Sequence, residues 1–493
     1  MIGTRNVSLA RKAVRGAVWT IALSVGSRIF GVLITIAIAR YIGPELDGEV
    51  QAAWAIAIIG GMATRFGFDQ YLLVKQHEGE DVPFHCTFYT VALGTLSLGV
   101  VWLLGDFFAN LSDAPGAGAY IPLAVISVGM RRIASIPQRI LVRDFRFRTA
   151  ALAEAVAEIS YGSTALALAY HGYGGYSIVV GNMVQGGVLL GIVVAAVGWR
   201  AWLLPYRLSW KRTRDMLRFG TPLNFNAMLH YVAHYCDRLI VSAMFGVRAT
   251  GLYTKAYSLA DIPASHVGEH IGSVLLPSMH KIEPNRRIDV LIRSTAILSV
   301  LIFPMGVGLG VVSDSLVAAI LPESWQDMAP YLMVLAGMSV FRPLSWVVDS
   351  YLKVSDRTRL LFFSELAKVL FLFGAIVVAP GPIWAAAGVG LAFALQSAVL
   401  VSVLGIVDRV SPLRFVPGFV GPVLACGIMA AAVLGARYVL LAAGLENVMV
   451  RLVAEILVGA VVYVPAAFLC APAITKDVLG LLRKAFGRGQ GGS

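Results

Sequence analysis

Residues 234–246 read HYCDRLIVSAMFG, and the setting of this stretch decides the fold. Asp237 and Arg238 stand side by side in a run, near 217–245, that is otherwise apolar enough to be a membrane span. A hydrocarbon core about 30 Å thick is crossed by about 20 helical residues. An ionised side chain at the centre of such a helix costs about 2.5–3.5 kcal/mol on insertion scales. Asp237 and Arg238 are therefore expected to face protein or a wet cavity, not acyl chains.

Working outward, comparable runs recur along all 493 residues, of which 58% are hydrophobic and 14% charged, with mean hydropathy +0.77. Soluble domains average about 45–50% apolar and about 25% charged residues. The pattern predicts an all-α polytopic membrane protein with about fourteen transmembrane helices. They are expected near 17–39, 49–68, 84–106, 118–138, 150–170, 174–197, 217–245, 251–278, 290–312, 328–351, 359–379, 383–406, 416–440 and 450–471. The first run has no small-residue cleavage site and reads as a retained span.

The placement of the 40 Lys and Arg residues gives the orientation. Thirty fall in segments on the N-terminal side of the membrane, four on the other side, and six within spans: Arg28, Arg65, Arg238, Lys255, Arg342 and Lys368. Such a bias over short loops predicts cytoplasmic N- and C-termini. The net charge of +12 is thus topological, with anionic membrane lipid as its partner and no nucleic acid implied. The tail from Ile474 puts Val478, Leu481, Leu482 and Phe486 on one helical face, as expected of a short helix lying on the inner surface. Cys86, Cys236, Cys426 and Cys470 show no paired spacing, so neither a disulfide framework nor a thiolate metal site is expected.

The chain also repeats itself. Residues 38–56 (IARYIGPELDGEVQAAWAI) align without gaps on residues 241–259 (VSAMFGVRATGLYTKAYSL), setting Gly43 on Gly246 and Gly48 on Gly251. Residues 146–154 (RFRTAALAE) align on 357–365 (RTRLLFFSE), and the same offset carries Arg131 to Arg342. The reading is two six-helix lobes, 1–208 (spans one to six) and 209–408 (spans seven to twelve), with spans thirteen and fourteen and a cytoplasmic amphipathic tail in 409–493. An even number of spans per copy relates the lobes by pseudo-two-fold symmetry along the membrane normal, with substrate expected between them near the midplane.

The in-span charges are candidates for that site. On span seven, Asn226, His230, His234 and Asp237/Arg238 follow one face at helical spacing; on span eight, Ser258, Asp261, Ser265 and Glu269 do the same. Two readings stay open for Asp237: an ion pair with Arg238 or Lys255, or a direct part in binding substrate or protons. Arg28, Arg238, Lys255, Arg342 and Arg131 form a candidate substrate-binding set, with Arg131 also assignable to the cytoplasmic basic cluster. Fixed cations in a cavity favour an anion, and Arg holds phosphate oxygens bidentately. Candidates for ion coupling are Asp237, Asp261, His230, His234 and Glu269. The i, i+4 pairs His230/His234 and His266/His270 have Ala and Val neighbours and no carboxylate-rich loop, so no metal is expected. Glu45, Asp47 and Glu49 in GPELDGE (43–49) read as a surface turn. With no phosphate-cradling loop and no large outer loop for catalysis, no cofactor and no enzymatic activity are expected.

Several stretches, in order, resemble the oligosaccharide flippase or polysaccharide transporter family of the multidrug/oligosaccharidyl-lipid/polysaccharide (MOP) exporter superfamily. They are GSRIFGVLITIAIARYIGPELDGEV (26–50), IPQRILVRDFRFRTAALAE (136–154), HGYGGYSIVVGN (171–182), LRFGTPL (217–223), CDRLIVSAMFGVRATGLYTKAYSLADIP (236–263) and LLPSMHKI (275–282). The resemblance implies a bacterial inner-membrane flippase. It would move undecaprenyl-diphosphate-linked oligosaccharide repeat units outward by alternating access, beside a polysaccharide polymerase and co-polymerase. SRIFG (27–31) is also similar to the first span of lipid II flippases, which implies a substrate-binding role for Arg28. Those proteins carry a further Arg-Asp pair where this chain has VLITI (32–36), a departure that argues against lipid II as cargo. The competing readings are an ion-coupled multidrug exporter of the same superfamily, which calls for an acid-dominated cavity, and a membrane polysaccharide polymerase or glycosyltransferase, which calls for a catalytic outer loop. A scaffold without transport has no use for costly polar stripes.

Overall fold

The structure is a computed structural model that describes residues 23, 26–27, 30–75, 79–280, 282–355 and 357–487, apart from the side chains of 226, 230, 263–278, 280, 284–285, 339, 343, 358 and 481–487. The described residues are almost wholly helical, with no strand among them. In chain order the helices are α1 (Phe30–Ala39), α2 (Pro44–Met62), α3 (Phe68–Val74), α4 (Val82–Leu103), α5 (Gly105–Leu111), α6 (Ile121–Arg143), α7 (Phe147–Tyr170), α8 (Tyr176–Val197) and α9 (Arg200–Leu203). They continue with α10 (Trp210–His280), α11 (Pro284–Val311), α12 (Ser313–Ile320), α13 (Ala329–Gly337), α14 (Arg342–Val354), α15 (Thr358–Val378), α16 (Pro382–Val407), α17 (Val416–Ala442), α18 (Val448–Cys470) and α19 (Pro472–Gly487). Seven of them (α4, α8, α11 and α15 to α18) are long and apolar enough to cross a membrane among the described residues.

Many helices begin with proline in the first turn, as α2, α4, α6, α11 and α16 do, where a missing N–H has no partner to lose. Asn447 caps α18 by accepting the N–H groups of Met449 (3.0 Å) and Val450 (3.2 Å). The run predicted at 328–351 is two helices, α13 and α14, separated by a 3-10 turn over Met338–Phe341. Proline at the start of α14 supplies no N–H to continue the ladder from α13. The run Trp210–His280 is likewise two helices, broken at Gly246, whose φ of 80° and ψ of 170° favour glycine.

By packing, the chain divides into residues 1–251 and 252–493. In the first unit, α2 and α6 to α8 bury small residues against one another, among them Ala52, Ala53, Ala57, Ala124, Ala165 and Gly181, which permits close helix approach. The first unit runs past residue 208 because the start of α10 is locked to the α2–α3 corner. There Phe66 (φ 44°) donates its N–H to Asn224 Oδ1 at 3.0 Å, and Asn224 Nδ2 donates to the Ala63 carbonyl at 3.2 Å. A Cβ at Gly220 would stand 1.8 Å from the Phe66 carbonyl oxygen, so only glycine fits. Further along, α2 meets the chain just after Gly246 in a reciprocal contact. A Cβ at Gly48 would lie 1.9 Å from the Val247 oxygen, and one at Gly251 would lie 1.9 Å from the Pro44 oxygen. Arg248 and Glu45 form an ion pair at 2.5 Å beside it.

In the second unit, α11, α14 and α16 close a core around Leu291, Leu298, Ile302, Val348 and Leu404. The pair α17–α18 is tied on by Tyr463, which donates to the Val300 carbonyl (2.7 Å), and by Arg437. Arg437 donates to both oxygens of the fully buried Glu455 (2.8 and 3.1 Å) and to the Val311 carbonyl (2.6 Å). Near the tail, Arg293 and Asp477 pair at 2.8 Å, fastening α19 to α11. Internal geometry recurs between the units: Arg146 N–H donates to the Leu141 carbonyl (2.8 Å), as Arg357 N–H does to Leu352 (2.9 Å).

Candidate functional site

The first unit encloses a cavity of about 580 Å³ walled by α2, α6, α7, α8 and the first part of α10. Its lining is mixed: Arg65, Arg131 and Arg132; Glu158, Asn182 and Gln185; and the rings of Trp54, Tyr161, Tyr231 and Tyr235. The three arginines differ in how they are held. Arg132 is committed to backbone, donating from Nε to the Thr90 carbonyl (3.1 Å), from Nη1 to Gly61 (2.5 Å) and from Nη2 to Thr64 (2.6 Å). Arg65 pairs with Asp69 at 3.2 Å. Arg131 donates from Nη2 to Gln185 Oε1, and Gln185 Nε2 donates to Glu158 Oε2 at 2.7 Å. The Nε of Arg131 is buried with no hydrogen-bond partner. A cation, an amide and a carboxylate thus form one chain along the cavity wall. On α10, Tyr231 and Tyr235, one helical turn apart, stack with their rings nearly parallel (13°) and centroids 6.0 Å apart.

The other candidates from the sequence lie elsewhere. Arg238 is 9% exposed and outside that lining; it donates from Nη1 to Gln51 Oε1 (3.1 Å) and sits 4.9 Å over the Tyr235 ring. Asp237, 3% exposed, accepts the backbone N–H of Arg238 at 2.8 Å. His234 meets Tyr235 edge to face at 5.2 Å. In the second unit, Lys255, 8% exposed, lies 5.2 Å over the ring of Trp325. Arg342 pairs with Asp261, donates from Nη2 to the Tyr257 hydroxyl at 2.8 Å, and lies 4.6 Å over the Phe393 ring. The space left around that cluster is about 10 Å³, room for a single water. Arg28 and the side chains of His230 and Glu269 lie outside the described residues, as do those of Asn226, Ser265, His266 and His270.

Sequence reasoning therefore placed Arg131 among the candidates but missed Glu158, Gln185, Tyr231 and Tyr235. Two signals for them were present. Glu158 is an ionisable group within a span, which is costly unless used, and the two tyrosines share one helical face.

Comparison with known proteins extends the picture. Residues 37–330 match the family described as polysaccharide biosynthesis protein. The succinoglycan biosynthesis transport protein ExoT of Rhizobium meliloti (strain 1021) is 24% identical over 496 residues, covering 96% of each chain. The lipopolysaccharide biosynthesis protein WzxC of Escherichia coli (strain K12) is 22% identical over 393 residues, covering 79% of each. Among solved structures, a lipid II flippase MurJ in an inward closed conformation superposes with a TM-score of 0.75 at 15% identity, covering 92% of this chain and 98% of its own. A point mutant of the Vibrio cholerae MATE transporter VcmN gives 0.57 at 13% identity, covering 84% and 100%. The fold is thus the helical membrane fold these transporters share, and the chain is a multi-pass membrane protein.

Proposed function

The chain belongs to the polysaccharide biosynthesis protein family, and on that premise we propose that it is a flippase for lipid-linked oligosaccharides. In this reading the cargo is an undecaprenyl-diphosphate-linked repeat unit. It crosses the bacterial inner membrane from the cytoplasmic to the periplasmic leaflet for assembly of an exopolysaccharide, O-antigen or capsule. The observation that carries the reading is the polar and aromatic cavity of about 580 Å³ within a helical membrane unit, bounded by an arginine whose Nε is unpaired. A packed structural bundle has no reason to keep such a space, since buried polar groups without partners are costly.

The two six-helix lobes, about fourteen spans in all with both termini cytoplasmic, alternate access around the cargo while its polyprenyl tail stays in lipid. The diphosphate is met by basic side chains drawn from Arg28, Arg238, Lys255 and Arg342. Arg238, Lys255 and Arg342 each already hold a protein partner, so cargo contact by them requires those partners to exchange. An inside-negative potential favours outward passage of an anion by about 2.3 kcal/mol per charge per 100 mV. Asp237, Asp261, His230, His234 and Glu269 are the groups through which a coupled ion would act. The lipid-linked product then becomes substrate for a polymerase and co-polymerase on the outer face.

The test is deletion of the gene in its host. Surface polysaccharide is expected to fall and the lipid-linked repeat unit to accumulate in the inner leaflet, with rescue by the wild-type gene. Arg28→Ala at matched membrane level is expected not to rescue. Normal surface polysaccharide in the deletion strain overturns the assignment.

A further inference from the structure

The cavity of the first unit has a chemistry that a diphosphate site would not need. Of its three arginines, Arg132 is saturated by three carbonyls and Arg65 shares Asp69 with Arg139. Arg131 is balanced through Gln185 by Glu158, whose carboxylate would repel phosphate at short range. The cavity therefore sets an acid, Glu158, among its arginines. It is rich in groups that both donate and accept, and part of its lining is aromatic.

Those properties fit one part of the proposed cargo. A pyranose ring presents hydroxyls around its edge, each a donor and an acceptor, and an apolar C–H face above and below. A carboxylate and an amide satisfy the hydroxyls, while the aromatic side chains of the lining cover the apolar face. The volume, about 580 Å³, lies within the range of about 300–1,000 Å³ usual for small-molecule sites. A polyprenyl tail would leave the Arg131–Gln185–Glu158 chain without polar partners.

We propose that this cavity is a sugar-reading subsite, in which one pyranose ring packs against the aromatic part of the lining, Tyr235 included, and its hydroxyls bond to Glu158, Gln185 and Arg131. The proposal rests on the flippase reading and adds to it: the diphosphate gives general affinity, and this wall selects which sugar is carried. A hydroxyl bonded to a buried carboxylate discriminates strongly, because an analogue lacking it leaves the carboxylate unpaired.

The test is calorimetric titration of the full-length protein in detergent with farnesyl diphosphate, and with farnesyl-diphosphate-linked glucose, galactose and N-acetylglucosamine. The wild-type protein is expected to bind at least one sugar-bearing probe about tenfold or more tighter than farnesyl diphosphate. Glu158→Gln, which is isosteric, and Gln185→Glu, which turns a donor into an acceptor, are each expected to weaken that probe by about 10–100-fold. Both should leave farnesyl diphosphate unchanged. Tyr235→Leu should lose the sugar preference and Tyr235→Phe keep it. No gain from any of the three sugars in the wild type, or equal losses on sugar-bearing and sugarless probes in folded variants, overturns the subsite alone. Failure of the wild type to bind any of the four probes overturns the flippase reading and the subsite with it.

Discussion

Substituting Gly251 by alanine is the sharpest structural test, because it strikes a contact in which backbone meets backbone. The added Cβ would sit 1.9 Å from the Pro44 oxygen and 2.8 Å from its carbonyl carbon, where real Cβ contacts stay above 3.0 Å. The start of α2 and the helix after Gly246 must therefore part by more than about 1 Å, and no flexible side chain is available to absorb the movement. Overpacking of side chains costs about 1–3 kcal/mol, and a rigid backbone contact belongs at the upper end. At about 2–4 °C per kcal/mol for a unit of this size, the loss in melting temperature is about 6–12 °C. The assay is thermal unfolding in detergent followed by a thiol-reactive fluorophore, since Cys86 and Cys426 are buried in the folded protein. Gly48→Ala should behave the same way, its Cβ meeting the Val247 oxygen at 1.9 Å. Because one separation of the two segments relieves both clashes, the double variant should lose less than the sum of the singles. Gly435→Ala, with open space around the new methyl, is the neutral control. A Gly251→Ala protein that melts within about 1 °C of wild type (roughly a quarter to half a kcal/mol on the same scale) refutes the reasoning.

Two further outcomes follow from particular contacts. Arg437→Met strips the bidentate partner from the fully buried Glu455 and should cost about 3–5 kcal/mol, while Arg437→Met with Glu455→Leu should recover most of it, as read by the same melting assay; equal melting of single and double variants counts against the pairing. His85→Leu leaves the Ser209 N–H without its acceptor, now the buried His85 Nε2 at 3.1 Å, and should speed tryptic cleavage at the exposed Arg207 several-fold, for a local cost of about 1–3 kcal/mol; an unchanged cleavage rate rejects that anchor.

The helices were legible because apolar length and proline position are properties of sequence alone. The expectation that Asp237 and Arg238 avoid lipid followed from insertion cost, and both are buried. What the sequence could not give was which polar group faces which. Helical spacing put His234 and Asp237 on one stripe, but the lining of the cavity comes from Tyr231 and Tyr235 on the same helix. Rotation of a helix about its axis is set by neighbours, here Gln51 drawing Arg238 toward α2 and Asn224 fixing the first part of α10 at Phe66. Similarly, Arg342 reads as a bare cation in sequence, and only tertiary packing brings Asp261 and the Tyr257 hydroxyl to it.

The sequence correspondence between the units bears on why, among the described residues, the space beside Arg342 is only about 10 Å³. The offset that carries Arg131 to Arg342 also carries Gln185 to Gln396 and Asn182 to Phe393. Gln396 still donates to a glutamate, Glu365, at 2.9 Å, just as Gln185 donates to Glu158. The difference lies at the third position. Where the first unit has Asn182 on its cavity wall, the second has Phe393, whose ring stacks 4.6 Å from the Arg342 guanidinium and 5.3 Å from Lys368. Asp261 neutralises Arg342 and Glu365 neutralises Lys368 at 2.6 Å, so the two cations beside Phe393 are paired within the protein. At this position an amide in the first unit stands where the second has an aromatic ring, which fills the space beside Arg342. Phe393→Asn should accordingly open space beside Arg342 without creating a sugar site, because Asp261 already occupies the arginine.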